Sequence, residues 1–412
     1  MIIYQVLPRL WGNGRLSGWD KETFAYAKSL GVSHVWFTGI VRHASNKPYV
    51  KGDPGSPYSI SDHYDINPYL SEDPEDRMQE FEDLIARAQS SNVGVILDFI
   101  PNHVCADYAG DIPVFDWHDY DWSDTRKIDY SAPGTWDKML QTIRFWAGKG
   151  VNGFRCDMVE LVDSAFFRWM IGKAKDEFPS LIFIAEVYQK ENYHKYLDAG
   201  FDFLYDKSGA YDILMSVMNG GDIRQLSWNW QWLGDMQPKM LNFLENHDEE
   251  RLRRPDYAAL AYASLFNGAS FMLYFGQEVD ERADESDNRR TSIFNSISIP
   301  SIERLVRQIH GGKALTAQET ATLERHRDIL KLASRIRDYQ NYDLLYCNRQ
   351  DVFPFLRYNS SGKNRYLIVC NFQDRGIETV ITIPEDAKKK CHLRRDSISV
   401  SVGPHDCSVL PL

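Results

Sequence analysis

Acidic residues close three apolar runs of this chain, and an arginine stands two positions ahead of the first of them. The segments are Gly153-Phe154-Arg155-Cys156-Asp157, Ala185-Glu186-Val187 and Glu245-Asn246-His247-Asp248, preceded by Asp98-Phe99-Ile100-Pro101-Asn102-His103. Residues i and i+2 of a strand point to the same side, so Arg155 can lie beside Asp157 and favour its ionised form. On spacing alone, a purely structural Arg-Asp pair is an equally good reading. Glu186 ends the apolar stretch Leu181–Ala185. Partial desolvation there would raise its pKa and keep it protonated near neutral pH, where a salt-bridged surface Glu is the plain alternative. An ionised carboxylate opposite a protonated one is the pair that breaks glycosidic bonds, one as nucleophile and the other as acid and then base.

Something must bring these segments to one place. Apolar β-branched runs alternate with amphipathic stretches, which reads as βα units and a parallel sheet. Strands are predicted over Ile2–Leu7, Ser33–Phe37, Val93–Phe99, Val151–Arg155, Leu181–Glu186, Phe201–Tyr205, Lys239–Leu244 and Ser270–Phe275. Helices are predicted between them, for example Arg77–Ser91, Trp136–Ala147, Ser164–Glu177, Ala210–Met218 and Tyr257–Phe266, with a helical stretch over 300–338. The predicted fold class is α/β, a (β/α)8 TIM barrel, whose strand C-termini open onto the face where active sites sit. The alternation fails over 104–133, a loop rich in Asp, Tyr and Trp, and a long loop at such a place is more often functional than accidental. From about 341 short alternating strands predict a C-terminal antiparallel β-sandwich domain. The expected domains are therefore 1–103 with 134–340 as the catalytic barrel, 104–133 as a loop domain after strand three, and 341–412 as the β domain.

The four segments, in this order, resemble the α-amylase family (glycoside hydrolase family 13), whose pattern runs Asp-x-x-x-Asn-His, Gly-Phe-Arg-x-Asp, a strand ending in Glu, and Asn-His-Asp. The likeness is good over about residues 1–280 and general beyond. It implies that Asp157 is the nucleophile, Glu186 the acid/base, and Asp248 the third carboxylate, which favours an oxocarbenium-like transition state. It implies that Tyr58 stacks under the sugar ring, that His103 and His247 hydrogen-bond it, and that Asp98 orients Arg155 rather than reacting. Tyr64 reads as structural, and Glu245 as a neighbour of the site rather than a catalyst. The function implied is hydrolysis of α-1,4-glucosidic bonds in maltooligosaccharides or starch-like glucans by double displacement, with the two carboxyls about 5–5.5 Å apart. The alternatives are a transglycosylase or trehalose-forming isomerase of the same family, or an inactive carbohydrate-binding protein.

Two departures bear on metal. Many α-amylases carry Lys-His after the nucleophile, where this chain has Glu160-Leu161, and the loop domain, ending near Ile128-Asp129-Tyr130, is short for the family. The family's structural calcium draws on that segment, on an Asn like Asn102, and on a long loop domain. Calcium takes six to eight oxygens, and Asn102 with Asp107, Asp111 or Asp129 does not assemble such a set. No cofactor is expected to be required, and calcium at Asn102 is left as an alternative.

A net charge of −11 without a basic stretch argues against nucleic-acid or anionic-membrane partners. Lys388-Lys389-Lys390 reads as a solvated loop. The partner expected is a glucan or oligosaccharide, and the oligomeric state is open. No apolar run approaches 18 residues and the first residues lack a secretory pattern. With 6 Cys and no CxxC spacing, a cytoplasmic location is expected, unless a signal peptide has been removed. Trp228-Asn229-Trp230-Gln231-Trp232, if extended, would put three indoles on one side as a sugar-stacking face; barrel packing is the other reading.

Overall fold

The structure is a computed structural model, and it describes all residues except 46–50, 52, 53, 296, 297 and 340. The predicted boundary at 340 therefore falls on an undescribed residue. Eight parallel strands close into a barrel: β1 (Ile2–Val6), β2 (His34–Phe37), β3 (Gly94–Phe99), β4 (Gly153–Cys156), β5 (Ile182–Glu186), β6 (Phe203–Tyr205), β7 (Met240–Phe243) and β8 (Ser270–Tyr274). Each pairs with its sequence neighbour, and β1 closes on β8.

Period two then sorts the inward side chains into layers. Ile3, Trp36, Ile96, Ile184, Leu241, Phe243 and Met272 form one buried cluster inside the barrel. Two residues further along the same strands stand Gln5, Asp98 and Glu186, so the alternation that fills the interior also lifts polar groups to its C-terminal rim. Asp98 and Arg155 are direct register partners across β3 and β4, as are Glu186 and Tyr205 across β5 and β6.

The outer helices start at side-chain caps. Asp20 accepts from Thr23 N, Asp163 from Ala165 N and Asp256 from Ala259 N, and Thr316 with Glu319 makes a capping box. Each cap satisfies backbone donors that the first helical turn leaves open. The helix Tyr257–Leu265 is buried all round, since one side faces the barrel and the other the C-terminal domain. That domain is a sandwich of a 4-stranded sheet and a 3-stranded sheet, both antiparallel, around Leu356, Leu367, Val369, Ile381 and Val400. Arg357, buried at the junction, donates to the carbonyls of Leu265 and Ile336 at 2.6 and 3.1 Å, and also to that of Tyr339.

The helical stretch over 300–338 consists of two helices, Pro300–Ile309 and Ala317–Arg335, parted by Gly311-Gly312. Two expectations need correction. Lys388-Lys389-Lys390 is the last turn of a short helix, Glu385–Lys390, where cations complement the C-terminal end of the helix dipole. Trp228, Trp230 and Trp232 lie on a helix, Arg224–Leu233, so period two does not align them. Trp228 and Trp232, four apart, share an exposed face, while Trp230 turns inward to Tyr342 and Phe266. Among the described residues no helix is long and apolar enough to cross a membrane.

Candidate active site

The rim residues meet around one guanidinium. Arg155 is wholly buried; its Nη1 donates to Asp157 Oδ1 at 2.6 Å and stands 3.8 Å from Asp98 Oδ1. Its Nη2 lies 2.5 Å from Glu186 Oε1, an ion contact off the line of a hydrogen bond. Trp36, Tyr58 and Tyr205 stand around it, with ring centroids 5.4–5.8 Å from its central carbon. One cation thus serves carboxylates from three successive strands, held by a cage that keeps water out.

The second layer was only partly legible. Tyr58, on the short strand Ser56–Ile60 beyond β2, links Asp98 Oδ1 at 3.1 Å to His247 Nε2 at 2.8 Å. Gln5 Nε2 lies 2.8 Å from His247 Nδ1 and can only donate, which assigns the ring proton to Nε2. Nε2–H then points to the Tyr58 oxygen, and the Tyr58 hydroxyl donates onward to Asp98. Trp36 Nε1 and the Gly39 amide also donate to Asp98, so its carboxylate takes hydrogen bonds on both oxygens. Gln5 was missed in the sequence, although a lone polar side chain in the apolar run Ile2–Val6 was a usable signal.

Glu186 accepts from the Met158 amide at 2.8 Å and the Tyr188 hydroxyl at 3.2 Å. Met158 has φ 41, the left-handed region, and this strained backbone aims its N–H at the acid. Glu160, at the position where the family often has Lys, accepts from the amides of Tyr188 and Gln189 and from Asn192 Nδ2. The turn after Asp157 and the turn after Glu186 are therefore tied together.

Burial sets the proton affinities. It pushes Glu186 up to about 7 against the pull of Arg155, with Asp157 adding to the rise. Burial also raises Asp157, and Arg155 limits that rise without reversing it. The expectation that Arg155 would hold Asp157 low is thus corrected: the guanidinium is where the spacing put it, but desolvation outweighs it. Asp98 is lifted by burial to about 6. Asp248 moves upward too, by burial first and Glu186 second, but its side chain is 40% exposed, so water tempers the effect. Burial lowers His103 to about 4 and His247 well below its usual range, so both rings are neutral.

Asp157, Glu186, Asp248, Tyr58, His103 and Tyr188 line one open cleft of about 260 Å³. His103 stands beside Trp122 of the loop domain, 5.3 Å between centroids. Arg155, His247 and Asp98 lie beneath the lining and support it. Glu245 pairs with buried Arg251 at 2.7 Å, and Tyr64 packs on Phe145, both outside the cleft.

The residues at Asn102 do not fit calcium. Its Oδ1 accepts from the Lys127 ammonium at 2.7 Å. The suggested helpers do not converge on it: Asp111 pairs with Lys138, and Asp129 accepts from Ser131. Among the described residues no group of three or more His, Cys, Asp or Glu is disposed to hold a metal.

Comparison with known proteins points the same way as the motifs. Residues 11–113 match the family described as alpha amylase, catalytic domain. Alpha-amylase 3 of Dictyoglomus thermophilum is 24% identical over 346 residues, covering 69% of this chain and 65% of the relative. An alpha-1,4-glucan:maltose-1-phosphate maltosyltransferase of Picrophilus torridus is 26% identical over 220 residues, covering 46% of this chain and 33% of the relative. The chain thus spans less than two thirds of the length of either curated relative. Among solved structures, a noncanonic maltogenic alpha-amylase from Thermotoga neapolitana superposes with a TM-score of 0.74 at 20% identity, over 100% of this chain and 96% of that one.

Proposed function

We propose that this chain, whose residues 11–113 match the alpha amylase catalytic domain, is an α-amylase family member with a short loop domain after β3, and that it hydrolyses α-1,4-glucosidic bonds in maltooligosaccharides or starch-like glucans with retention. The observation that carries this reading is the single guanidinium of Arg155 touching Asp157 at 2.6 Å and Glu186 at 2.5 Å. Carboxyls within reach of one guanidinium suit the separation of about 5–5.5 Å used by retaining enzymes better than the roughly 6.5–9.5 Å of inverting ones.

Asp157 attacks the anomeric carbon while Glu186 gives its proton to the glycosidic oxygen; the bond to that oxygen breaks and the leaving sugar departs as an alcohol. Glu186, now a carboxylate, takes a proton from water. The water oxygen attacks the anomeric carbon, and Asp157 leaves as the carboxylate it was. A rise to about 7 suits Glu186 to both roles near neutral pH. Asp248 accepts hydrogen bonds from the hydroxyls of the reacting ring, contacts that strengthen as charge develops. Tyr58 stacks under that ring and neutral His103 hydrogen-bonds its hydroxyls, whereas His247, expected to do the same, is fully buried with both ring nitrogens engaged by Gln5 and Tyr58 and holds Tyr58 in place instead. Arg155 and Asp98 are positioning residues.

Asp157→Asn tests the assignment. Turnover is expected to vanish while calorimetry still records oligosaccharide binding; a variant keeping more than a few per cent of wild-type activity overturns it. The similarity to a maltosyltransferase favours a second reading, in which a sugar hydroxyl replaces water in the second step. Products longer than the substrate would identify it.

A further inference from the structure

The place where the family resemblance calls for a metal holds a cation made of protein. The strand Thr125–Lys127 of the loop domain pairs antiparallel with His103–Cys105, and Lys127 lies opposite His103. The Lys127 side chain, 15% exposed, donates from Nζ to Asn102 Oδ1 at 2.7 Å, Asp119 Oδ2 at 2.8 Å and the Leu161 carbonyl at 3.2 Å. An ammonium has three N–H donors and no acceptor, so these oxygens use it completely. Asn102 cannot turn away, because its Nδ2 donates to the same Asp119 oxygen at 2.8 Å. Burial works against the Asp119 carboxylate, but hydrogen bonds from Lys127 and Asn102 prevail and hold it below the ordinary carboxylate range.

The oxygens come from three separate pieces of chain: the end of β3, the loop domain, and the turn after the nucleophile. That last turn holds the acid as well. Met158 donates to Glu186, and Glu160, next to Leu161, accepts from the amides just past Glu186. A calcium ion would sit about 2.3–2.6 Å from such oxygens and would need six to eight of them. Here there are three, and all are taken.

We propose that the Lys127 ammonium is the built-in cation of this site: it fastens the loop domain to the turn after β4, positions the Asp157–Glu186 pair through that turn, and leaves these oxygens with no structural use for calcium. The positioning role rests on the function proposed above; the cation role does not.

The test compares melting temperature and steady-state kinetics of the whole chain in EDTA and in excess calcium chloride. The wild type is expected to keep the same Tm and kcat in both. A Tm that rises with calcium, or a Tm or rate that falls in EDTA, overturns the proposal, because a metal then takes the oxygens assigned to lysine. Lys127→Met keeps the stem and removes the charge. It is expected to melt several degrees lower and to lose roughly ten- to hundredfold in kcat, a displaced-group effect, with KM little changed because Lys127 does not reach the cleft. Lys127→Arg, which keeps a cation there, is expected to recover part of that kcat. A Lys127→Met enzyme with wild-type Tm and kcat overturns the proposal, and if this variant fails to fold the calcium comparison on the wild type still decides. Activity surviving in Asp157→Asn would sink the functional reading alone, leaving the thermal result to stand or fall by itself.

Discussion

Replacing Arg155 with Met should do more than remove one hydrogen bond. The guanidinium contacts Asp157, Glu186 and Asp98 at 2.6, 2.5 and 3.8 Å, the only cation to do so among the described residues. Breaking a buried ion pair by deleting one partner costs about 3–5 kcal/mol, because the remaining charge is left in a dry site. With the two close contacts sharing that loss, the pKa of both Asp157 and Glu186 is driven further upward. Both carboxyls already lie above their unfolded values. A group raised on folding contributes stability that is full below its unfolded pKa and is lost as pH rises through the folded one. The deficit of Arg155→Met relative to wild type should therefore shrink as pH falls and the acids take up protons, and grow toward pH 8. Activity should follow, since a protonated Asp157 is no nucleophile: the acid limb of kcat/KM should move to higher pH. Urea unfolding across this pH range and a pH–rate profile read both effects. A deficit below about 1 kcal/mol at pH 7, or one that does not change with pH, would refute the view that Arg155 compensates buried charge.

Wild-type kcat/KM should fall above about pH 7 as Glu186 loses its proton in the free enzyme, and Glu186→Gln should abolish that alkaline limb together with most of the activity; a limb that persists in the variant assigns it to another group. Arg357→Met should destabilise the fold by about 3 kcal/mol, since its guanidinium satisfies the buried carbonyls of Leu265, Ile336 and Tyr339, each worth roughly 1–3 kcal/mol if left unpaired. Denaturant titration checks it, and the surviving folded enzyme should keep wild-type KM because the junction is far from the cleft lining.

The barrel was legible because buried parallel strands are continuous apolar runs, and those runs are hard to mistake. Leu181–Glu186 is observed as Ile182–Glu186, and Ser270–Phe275 as Ser270–Tyr274. The carboxylates were legible for the same reason: a charged residue closing an apolar strand stands out. Trp228, Trp230 and Trp232 left two readings open, because alternation of one residue type mimics a strand while the buried stripe of the helix, Leu226, Asn229 and Leu233, has a polar residue at its centre. Residues whose meaning is tertiary left no local trace. Lys127 becomes intelligible only when Asn102, Asp119 and Leu161 are brought together, and no spacing along the chain announces that. The Asp157 proton affinity was misjudged for a related reason. Adjacency to Arg155 can be read from i and i+2, but the depth of burial cannot, and burial decides the direction.

The most direct test of the central claim is proton NMR of maltoheptaose during digestion, following the anomeric signals from the first minutes. Double displacement through Asp157 and Glu186 predicts that new reducing ends appear first as the α-anomer and only later mutarotate. First appearance of the β-anomer would mean inversion and would contradict the nucleophilic role of Asp157; an unchanged spectrum with the sugar still bound would contradict α-1,4 hydrolysis altogether.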